Sequence, residues 1–375
     1  MKIRNLLLGT AAALATSNAA FAADAIVIAE PEPVEYMRVC DMYGAGYFYI
    51  PGTETCMQFS GFVWAQVAAE GSDGEGDTPD YQTYGGFPDS EGWIMSTRAR
   101  LQVDVRSSTE WGTLRGMMRI QADTGGNNAD AAYVMDNAIV QLGGFRVGYT
   151  ETVFNDSIGA GVASYGSHSW GSMSYGYRKV QGISYSVGSD KGFAATISLE
   201  NDDLEGDGYM PDVVGAVSYN QDWGAVWAKA GYDEDYDGLG SDGFGVTAGL
   251  HLNVPGFEGS SFRLIGYYSD SDNVFGVGSP AMVAFGGNGA SEWSVLASYY
   301  HQFTEKFGAS VGFQYFSDFY QANSSVGTGL DGYGAELNLV YTPIENLEIR
   351  SEIYYDDYET LDGTASGFLR LTRFF

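Results

Sequence analysis

The segment LEIRSEIYYDDY, residues 347–358, alternates between apolar and charged side chains. Its odd positions carry the apolar residues Leu347, Ile349, Ile353 and Tyr355, and its even positions carry the charged residues Glu348, Arg350, Glu352 and Asp356. Successive side chains of a β-strand point to opposite faces, so a period of two places each set on its own face. The segment is therefore predicted to be a strand with one apolar face and one ionic face.

The same period recurs along the chain, for example in GFGVTAGLHLNV at 243–254 and DGYGAELNLVYT at 331–342. About sixteen such segments follow residue 57, and short turns alternate with long polar loops between them. This pattern is typical of an all-β, antiparallel up-and-down barrel that crosses a membrane. Beyond the first residues, no stretch approaches the roughly 18 consecutive apolar residues that a spanning helix needs.

The last segment, SGFLRLTRFF at 366–375, is predicted to be the final strand of this barrel. Leu369, Leu371 and Phe375 share one face, which we expect to contact lipid, with the aromatic ring at the membrane interface. Closing a barrel removes both sheet edges, so this strand should pair with the first strand near residues 57–70.

A soluble β-sandwich or ligand-binding barrel would also produce alternation, and it remains open at this point. The composition suits strands and tight turns in either case, with 52 Gly and 15% aromatic residues. Bulky apolar faces that lie opposite charged faces in many segments favour a water-filled interior over a packed core.

The N-terminus has the pattern of a secretory signal peptide, with bases before the apolar run LLLGTAAALA and a small-x-small site at Ala20-Phe21-Ala22. We expect residues 1–22 to be this signal peptide. Residues 23–56 are interpreted as an N-terminal lead, and residues 57–375 as the transmembrane β-barrel.

The two cysteines of the chain, Cys40 and Cys56, both lie in the lead. In an exported protein they are predicted to form a disulfide. The alternative, that both are ligands of a metal, lacks companion ligands.

The charge of the chain argues against some partners and activities. It has 18 basic and 48 acidic residues, for a formal net charge of -30, so nucleic acid is not expected as a partner. The three histidines have no ligand spacing and we find no hydrolase motif, so neither a cofactor nor an enzymatic activity is expected.

The hairpin WIMSTRARLQVDVRSSTEWGTLRGMMRIQAD, residues 93–123, places a row of arginines on the face predicted to line the lumen. They are Arg98, Arg100, Arg106, Arg115 and Arg119, and Arg146 of the next hairpin extends the row. We call these six residues the arginine wall. Asp104 is the one acid that we count within the two arms, so other groups should compensate the charge. The alternative is that each arginine simply pairs with a carboxylate.

The long Gly- and Ser-rich stretch FNDSIGAGVASYGSHSWGSMSYGY, residues 154–177, is predicted to be a third loop that folds into the barrel. The inserted loop would constrict the passage, and Glu151 and Asp156 near its start would face the arginine wall across the opening. A transverse field between them would orient dipolar solutes and slow apolar ones. The alternative is a plain surface loop.

The run DEDYDG at 233–238 matches the opening of a calcium loop through Asp233, Asp235 and Asp237. The match is incomplete, because Phe244 stands at the twelfth position where such a loop has Glu. A solvated acidic outer loop is the preferred interpretation.

The chain resembles the alphaproteobacterial outer-membrane porins over its whole length. The resemblance is carried by VCDMYGAGYFYIPGTETCMQFSGFVWAQ at 39–66, by AIVQLGGFRVGYTETVF at 138–154, and by the terminal Phe375. Tyr149 departs from the pattern, since an arginine is expected there, and the third loop contains few acids.

The resemblance implies a homotrimer of 16-stranded barrels in the bacterial outer membrane, among lipid and lipopolysaccharide. Each barrel would let small hydrophilic solutes and ions diffuse passively. The alternative is a barrel that acts as an adhesin or binding protein through its acidic outer loops. From acids with lumenal parity we also expect a weak cation preference; these are Glu200, Glu336, Glu348, Glu352 and Asp356.

Overall fold

The computed structural model describes residues 38–72, 92–125, 132–156, 166–170, 173–189, 191–201, 209–278, 287–359 and 363–375. The predicted signal peptide and residues 23–37 of the predicted lead lie outside these ranges. Among the described residues no helix is long and apolar enough to cross a membrane, a finding that says nothing of a β-barrel.

The described chain is built almost entirely of antiparallel strands, preceded by one 3-10 turn at Asp41–Tyr43. The strands are β1 (Phe48–Tyr49), β2 (Cys56–Ser72), β3 (Gly92–Thr109), β4 (Gly112–Gly125), β5 (Ala132–Leu142), β6 (Phe145–Glu151), β7 (Lys179–Gly188), β8 (Gly192–Glu200), β9 (Asp212–Gln221), β10 (Gly224–Asp233), β11 (Gly243–Asn253), β12 (Ser261–Ser269), β13 (Ser291–Thr304), β14 (Phe307–Phe319), β15 (Gly332–Ile344), β16 (Leu347–Tyr358) and β17 (Thr364–Phe374).

Strands β2 to β17 form one closed sheet, because each pairs with its neighbours in sequence and β17 pairs with β2. At this seam Leu371 lies opposite Ala65. Gly61 and Phe375 exchange two backbone hydrogen bonds, of 2.9 and 3.1 Å. The predicted 16-strand barrel and the predicted pairing of its last strand with its first are confirmed.

The alternation in the sequence separates the two faces of the barrel wall. In β16, Glu352 is fully buried and Tyr354 nearly so, whereas Ile353 between them is 56% exposed. Leu369 and Leu371 of β17 likewise point outward. The outer surface is thus apolar and the interior polar, which is the inverse of a soluble barrel.

The two ends of the barrel differ. One end carries short connections such as 110–111, 143–144 and 222–223, and the other carries long ones such as 234–242 and 320–331. Exposed aromatic side chains cluster around the short-turn end: Phe145, Trp223, Phe257, Phe303 and Phe307. A ring of this kind marks a membrane–water interface.

The described part of the N-terminal lead is a small hairpin fixed to the start of β2. Cys40 and Cys56 form the predicted disulfide, with Cα atoms 6.1 Å apart. Tyr49 of β1 pairs with Cys56, and the buried Tyr47 ring lies 5.2 Å from the Arg106 guanidinium. The lead therefore packs against one end of the arginine wall.

Candidate functional site

The arginines of β3 and β4 all lie on the lumenal face of the barrel. Their side chains are between 19% and 27% exposed, so water and neighbouring groups both reach them. The register accounts for this row, since Arg106 lies directly opposite Arg115 and the remaining arginines follow at even spacing.

Each end of this row is paired with a carboxylate from the same hairpin. The buried Asp104 accepts hydrogen bonds from Arg106 at 2.8 Å and from Arg115 at 2.6 Å. Asp123, at the end of β4, pairs with Arg98. The expectation that Asp104 is the one acid within the two arms was therefore wrong, because Asp123 is a second. Arg98, Arg106 and Arg115 follow the alternative interpretation, in which each arginine pairs with a carboxylate.

The centre of the row is organised by Asp136, a residue that the sequence pattern did not single out. Its carboxylate pairs with Arg119 and lies 3.6 Å from both Arg100 and Lys179. The register between β4 and β5 shifts here: Arg119 pairs with Asn137 and Ile120 with Met135, which leaves Asp136 as the extra residue of a β-bulge. The bulge turns Asp136 inward and breaks the parity on which the sequence prediction depends.

Glu151 and Asp156 each lie beside a basic side chain of the lumenal wall instead of facing the arginines across an opening. Arg146 Nη1 is 2.8 Å from an Asp156 oxygen. Glu151 lies 3.4 Å from Lys179 and 3.9 Å from Arg119. The two acids thus belong to the same side of the lumen as the arginines, which corrects the expected transverse arrangement.

The loop between β6 and β7 lies inside the barrel where it is described. Residues 166–170 and 173–178, called the inward segment below, bond to the wall formed by β12 to β16. His168 bonds to Ser298 and Ser261, Ser174 N–H donates to Gln314 at 2.9 Å, and Arg263 donates to the Ser167 carbonyl at 3.0 Å.

Acids of the barrel wall hold this loop in place. Glu336 accepts a hydrogen bond from the Ser169 hydroxyl, and Glu352 accepts one from the Trp170 backbone N–H. At the start of the loop, Glu200 accepts the Val153 N–H at 2.8 Å. Each of these buried carboxylates has lumenal parity, as predicted, but each is used to anchor the loop.

Apolar packing fixes the start of the same loop. Phe154 and Phe275 are fully buried with ring centroids 5.2 Å apart. Phe275 lies so close to Gly231 and Gly245 that an added Cβ would come within 2.5 and 2.7 Å of it. Side chains at either glycine would push this aromatic pair away from the wall.

A cavity of about 640 Å³ separates the arginine wall from the inward segment. Its lining includes Arg98, Arg100 and Arg119 of the wall and Trp170, Tyr175 and Tyr177 of the inward segment. Trp170 is held by Arg370, whose guanidinium carbon lies 4.6 Å from the ring centroids of both Trp170 and Trp64. Such cation–π contacts favour a fixed position of the indole.

Two titratable groups of the inward segment are neutral at physiological pH. Burial, together with the nearby Arg263 and His251, lowers the pKa of His168 to about 3. Burial and the nearby carboxylates Asp136 and Glu151 raise the pKa of Tyr177 above its ordinary range. Neither group adds charge to the cavity.

The calcium-like run on the loop after β10 does not form a metal site in the described part of the chain, where no group of three His, Cys, Asp or Glu residues could hold an ion. Its carboxylates accept backbone N–H groups instead. Asp233 accepts from Val274 at 3.0 Å, Asp235 from Gly240 at 2.6 Å and Asp237 from Leu239 at 2.9 Å. These bonds shape the turn.

The sequence matches the family model described as the Porin subfamily over residues 24–367. Porin Omp2b of Brucella suis biovar 1 is 41% identical over 256 residues, which make up 62% of this chain and 66% of that protein. Porin Omp2b of Brucella melitensis biotype 1 is 40% identical over the same shares. The match spans slightly less than two thirds of the length of these relatives.

Solved structures show the same architecture. The outer membrane channel DcaP of Acinetobacter baumannii superposes with a TM-score of 0.65 at 14% identity, covering 87% of this chain and 99% of that chain. The anion-selective porin from Comamonas acidovorans superposes with a TM-score of 0.60 at 12% identity, covering 86% of this chain and 100% of that chain. At these identities the likeness concerns the fold alone. With its closed 16-strand barrel and its match to the family model over most of its length, the chain belongs to the Porin subfamily and is a barrel of the bacterial outer membrane.

Proposed function

We propose that this protein is a porin, a water-filled channel through which small hydrophilic solutes and ions diffuse passively. The observation that carries the proposal is the cavity between the arginine wall and the inward segment. Charged side chains line this space inside a barrel whose outer surface is apolar, and that arrangement is stable because water reaches the charges.

The narrow part of the channel is assigned to two sets of residues. Arg98, Arg100 and Arg119 form its charged side, with Arg106, Arg115 and Arg146 continuing the wall beyond it. Glu151 and Asp156 set the local charge of this wall through Arg119, Lys179 and Arg146. The inward segment reduces the cross-section from the opposite side.

Assembly belongs to the same proposal. Family membership supports a homotrimer embedded in outer-membrane lipid and lipopolysaccharide, with residues 1–22 removed as a signal peptide on export. Passive diffusion requires neither a cofactor nor a catalytic residue.

The test is conductance of the detergent-purified protein in a planar bilayer. A porin gives stepwise, ohmic openings, in groups of three if the trimer forms. A barrel that migrates as a folded, heat-modifiable species yet conducts no current would overturn the proposal. The acidic outer loops would then be the surface to study, as expected of an adhesin or binding protein.

A further inference from the structure

The cavity between the arginine wall and the inward segment is lined by more basic than acidic side chains. Its described lining contains five arginines and two carboxylates. The arginines are Arg98, Arg100, Arg119, Arg263 and Arg350, and the carboxylates are Asp136 and Glu151. Asp123 and Glu348 beside the lining pair with Arg98 and Arg350. Arg100 and Arg263, in contrast, donate hydrogen bonds to the neutral acceptors Gln121, His251 and Ser167. A concave surface lined by one sign of charge concentrates ions of the opposite sign.

The described residues of the inward segment bring little charge of their own. Residues 166–170 and 173–177 contain no Asp, Glu, Lys or Arg, and Arg178 lies 3.1 Å from Asp212. Glu336 and Glu352 bond to the inward segment, and Glu348 pairs with Arg350 at 2.8 Å. The acids from which the sequence suggested a weak cation preference are not among the described residues that line this cavity.

The inward segment offers aromatic surface in place of charge. Trp170 is 39% exposed and Tyr177 is 52% exposed, and both line the cavity together with Tyr175. The lining arginines present planar guanidinium groups, which bind carboxylates in matching geometry. The cavity thus offers basic groups for a negative group and aromatic rings for a flat ring.

The hydrogen bonds of Arg100 suit it to this role. Its Nε and Nη2 donate to the neutral amide oxygen of Gln121 at 3.2 and 2.7 Å, and the Asp136 carboxylate lies farther off, at 3.6 Å. A solute carboxylate that displaces Gln121 would replace a neutral acceptor by a charged one, which forms the stronger hydrogen bond. The volume of about 640 Å³ also lies within the range of small-molecule sites.

We propose that this cavity is a binding site for small carboxylates with a flat aromatic body, and that the channel passes anions in preference to cations. The inference rests on the proposed function, because a solute must enter the lumen to meet these residues. It specifies the class of solute that the lumen favours.

The experiment measures one set of open channels in a planar bilayer. The reversal potential in a potassium chloride gradient should have the sign of an anion-selective pore. Benzoate added to the bath should interrupt the current at a concentration about tenfold below that of cyclohexanecarboxylate, which has the same charge but no aromatic ring. Benzylammonium, the cationic counterpart, should not interrupt it.

Variants locate the site. Arg100→Gln should raise the half-blocking concentration of benzoate about tenfold. Tyr177→Leu should remove the preference for benzoate over cyclohexanecarboxylate, while Tyr177→Phe keeps it. Lys191→Gln is the matched control, because it also removes one positive charge, but Lys191 is 72% exposed on a short turn and does not line the cavity. The half-blocking concentration of benzoate should equal that of the parent protein.

The outcomes separate this inference from the proposed function. A conducting channel with a cationic reversal potential, or with equal block by both carboxylates, would overturn the inference and leave the porin intact. A folded barrel without conductance would overturn both. Variants that misfold are recognised by loss of heat-modifiable migration. The inference is tested even without the variants, because benzoate and cyclohexanecarboxylate are compared on the parent channel.

Discussion

The backbone N–H of Trp170 donates a hydrogen bond to the carboxylate of Glu352, 182 residues farther along the chain. The bond ties the inward segment to the strand next to the barrel seam. Glu352 is fully buried and also lies 3.3 Å from Arg350. Removing a partner of a buried charge is strongly destabilising, because the charge is then left without compensation.

Replacing this carboxylate should loosen the inward segment. Glu352→Ala removes a charge-assisted hydrogen bond of about 1.5–3 kcal/mol and leaves Arg350 with one carboxylate. We expect larger single-channel conductance and more frequent fluctuations of the open level, measured in a planar bilayer.

The matched control is Glu348→Ala, in the same strand and on the same face. Glu348 accepts hydrogen bonds from Arg350 of its own strand at 2.8 and 3.3 Å, whereas Glu352 also bonds to the inward segment. Conductance should stay close to that of the parent channel. Equal increases in the two variants would mean that the charge of the lumen, and not the anchor, sets the conductance.

Asp136 should contribute to both stability and selectivity. Asp136 is 8% exposed, and its carboxylate is shared by Arg100, Arg119 and Lys179. The variant Asp136→Asn removes this shared negative charge. We expect a loss of about 3 kcal/mol in the free energy of unfolding and a reversal potential shifted further toward anions. Denaturant titration of the refolded barrel and a salt-gradient recording measure the two effects.

Asp242→Asn is a suitable comparison for that experiment, because it removes one negative charge from an outer loop, where Asp242 accepts a hydrogen bond from the Tyr232 hydroxyl at 3.3 Å. Little change in either quantity is expected. If this outer-loop variant shifted the reversal potential as far as Asp136→Asn, selectivity would be set outside the cavity.

The barrel could be predicted from the sequence because a two-residue period is a local property. The parity of LEIRSEIYYDDY fixed the faces of β16, and the apolar residues of the last segment indicated its position at the seam. Both depend on neighbours along one strand, so no knowledge of distant contacts is needed.

The partners of the arginine wall could not be predicted in the same way. Asp136 enters the lumen through a β-bulge, which shifts the period by one residue and leaves no signature in the pattern. Glu336 and Glu352 were correctly placed on the lumenal face. Their use as anchors depends on a loop more than 160 residues away in the sequence.

The disulfide should stabilise the N-terminal hairpin. It closes a loop with a sequence separation of 16, and the chain-entropy model gives about 3 kcal/mol for a loop of this size. The double variant Cys40→Ala/Cys56→Ala should therefore unfold at lower denaturant concentration, and added reductant should affect the parent but not the variant. Met42→Ala, an exposed change in the same loop, should leave the denaturant midpoint unchanged. A reductant effect that persists in the variant without cysteines would contradict a stabilising role of the disulfide.

The anchoring of the inward segment should weaken in acid through His168. The folded-state pKa of His168 is lowered to about 3, below the ordinary value of 6.5, because the ring is buried beside Arg263 and His251. Between pH 6.5 and pH 3, His168 binds a proton in the unfolded chain but not in the folded chain. The contribution of the neutral ring to the free energy of unfolding is therefore fully present above pH 6.5 and is lost as pH falls toward 3. At pH 4 the loss should reach about 3 kcal/mol at most. The midpoint temperature of heat modification should then fall more steeply between pH 7 and pH 4 in the parent protein than in His168→Asn, which has no imidazole to protonate. Titrating carboxylates are common to both proteins and cancel in the comparison, so parallel profiles would show that His168 is not the group responsible.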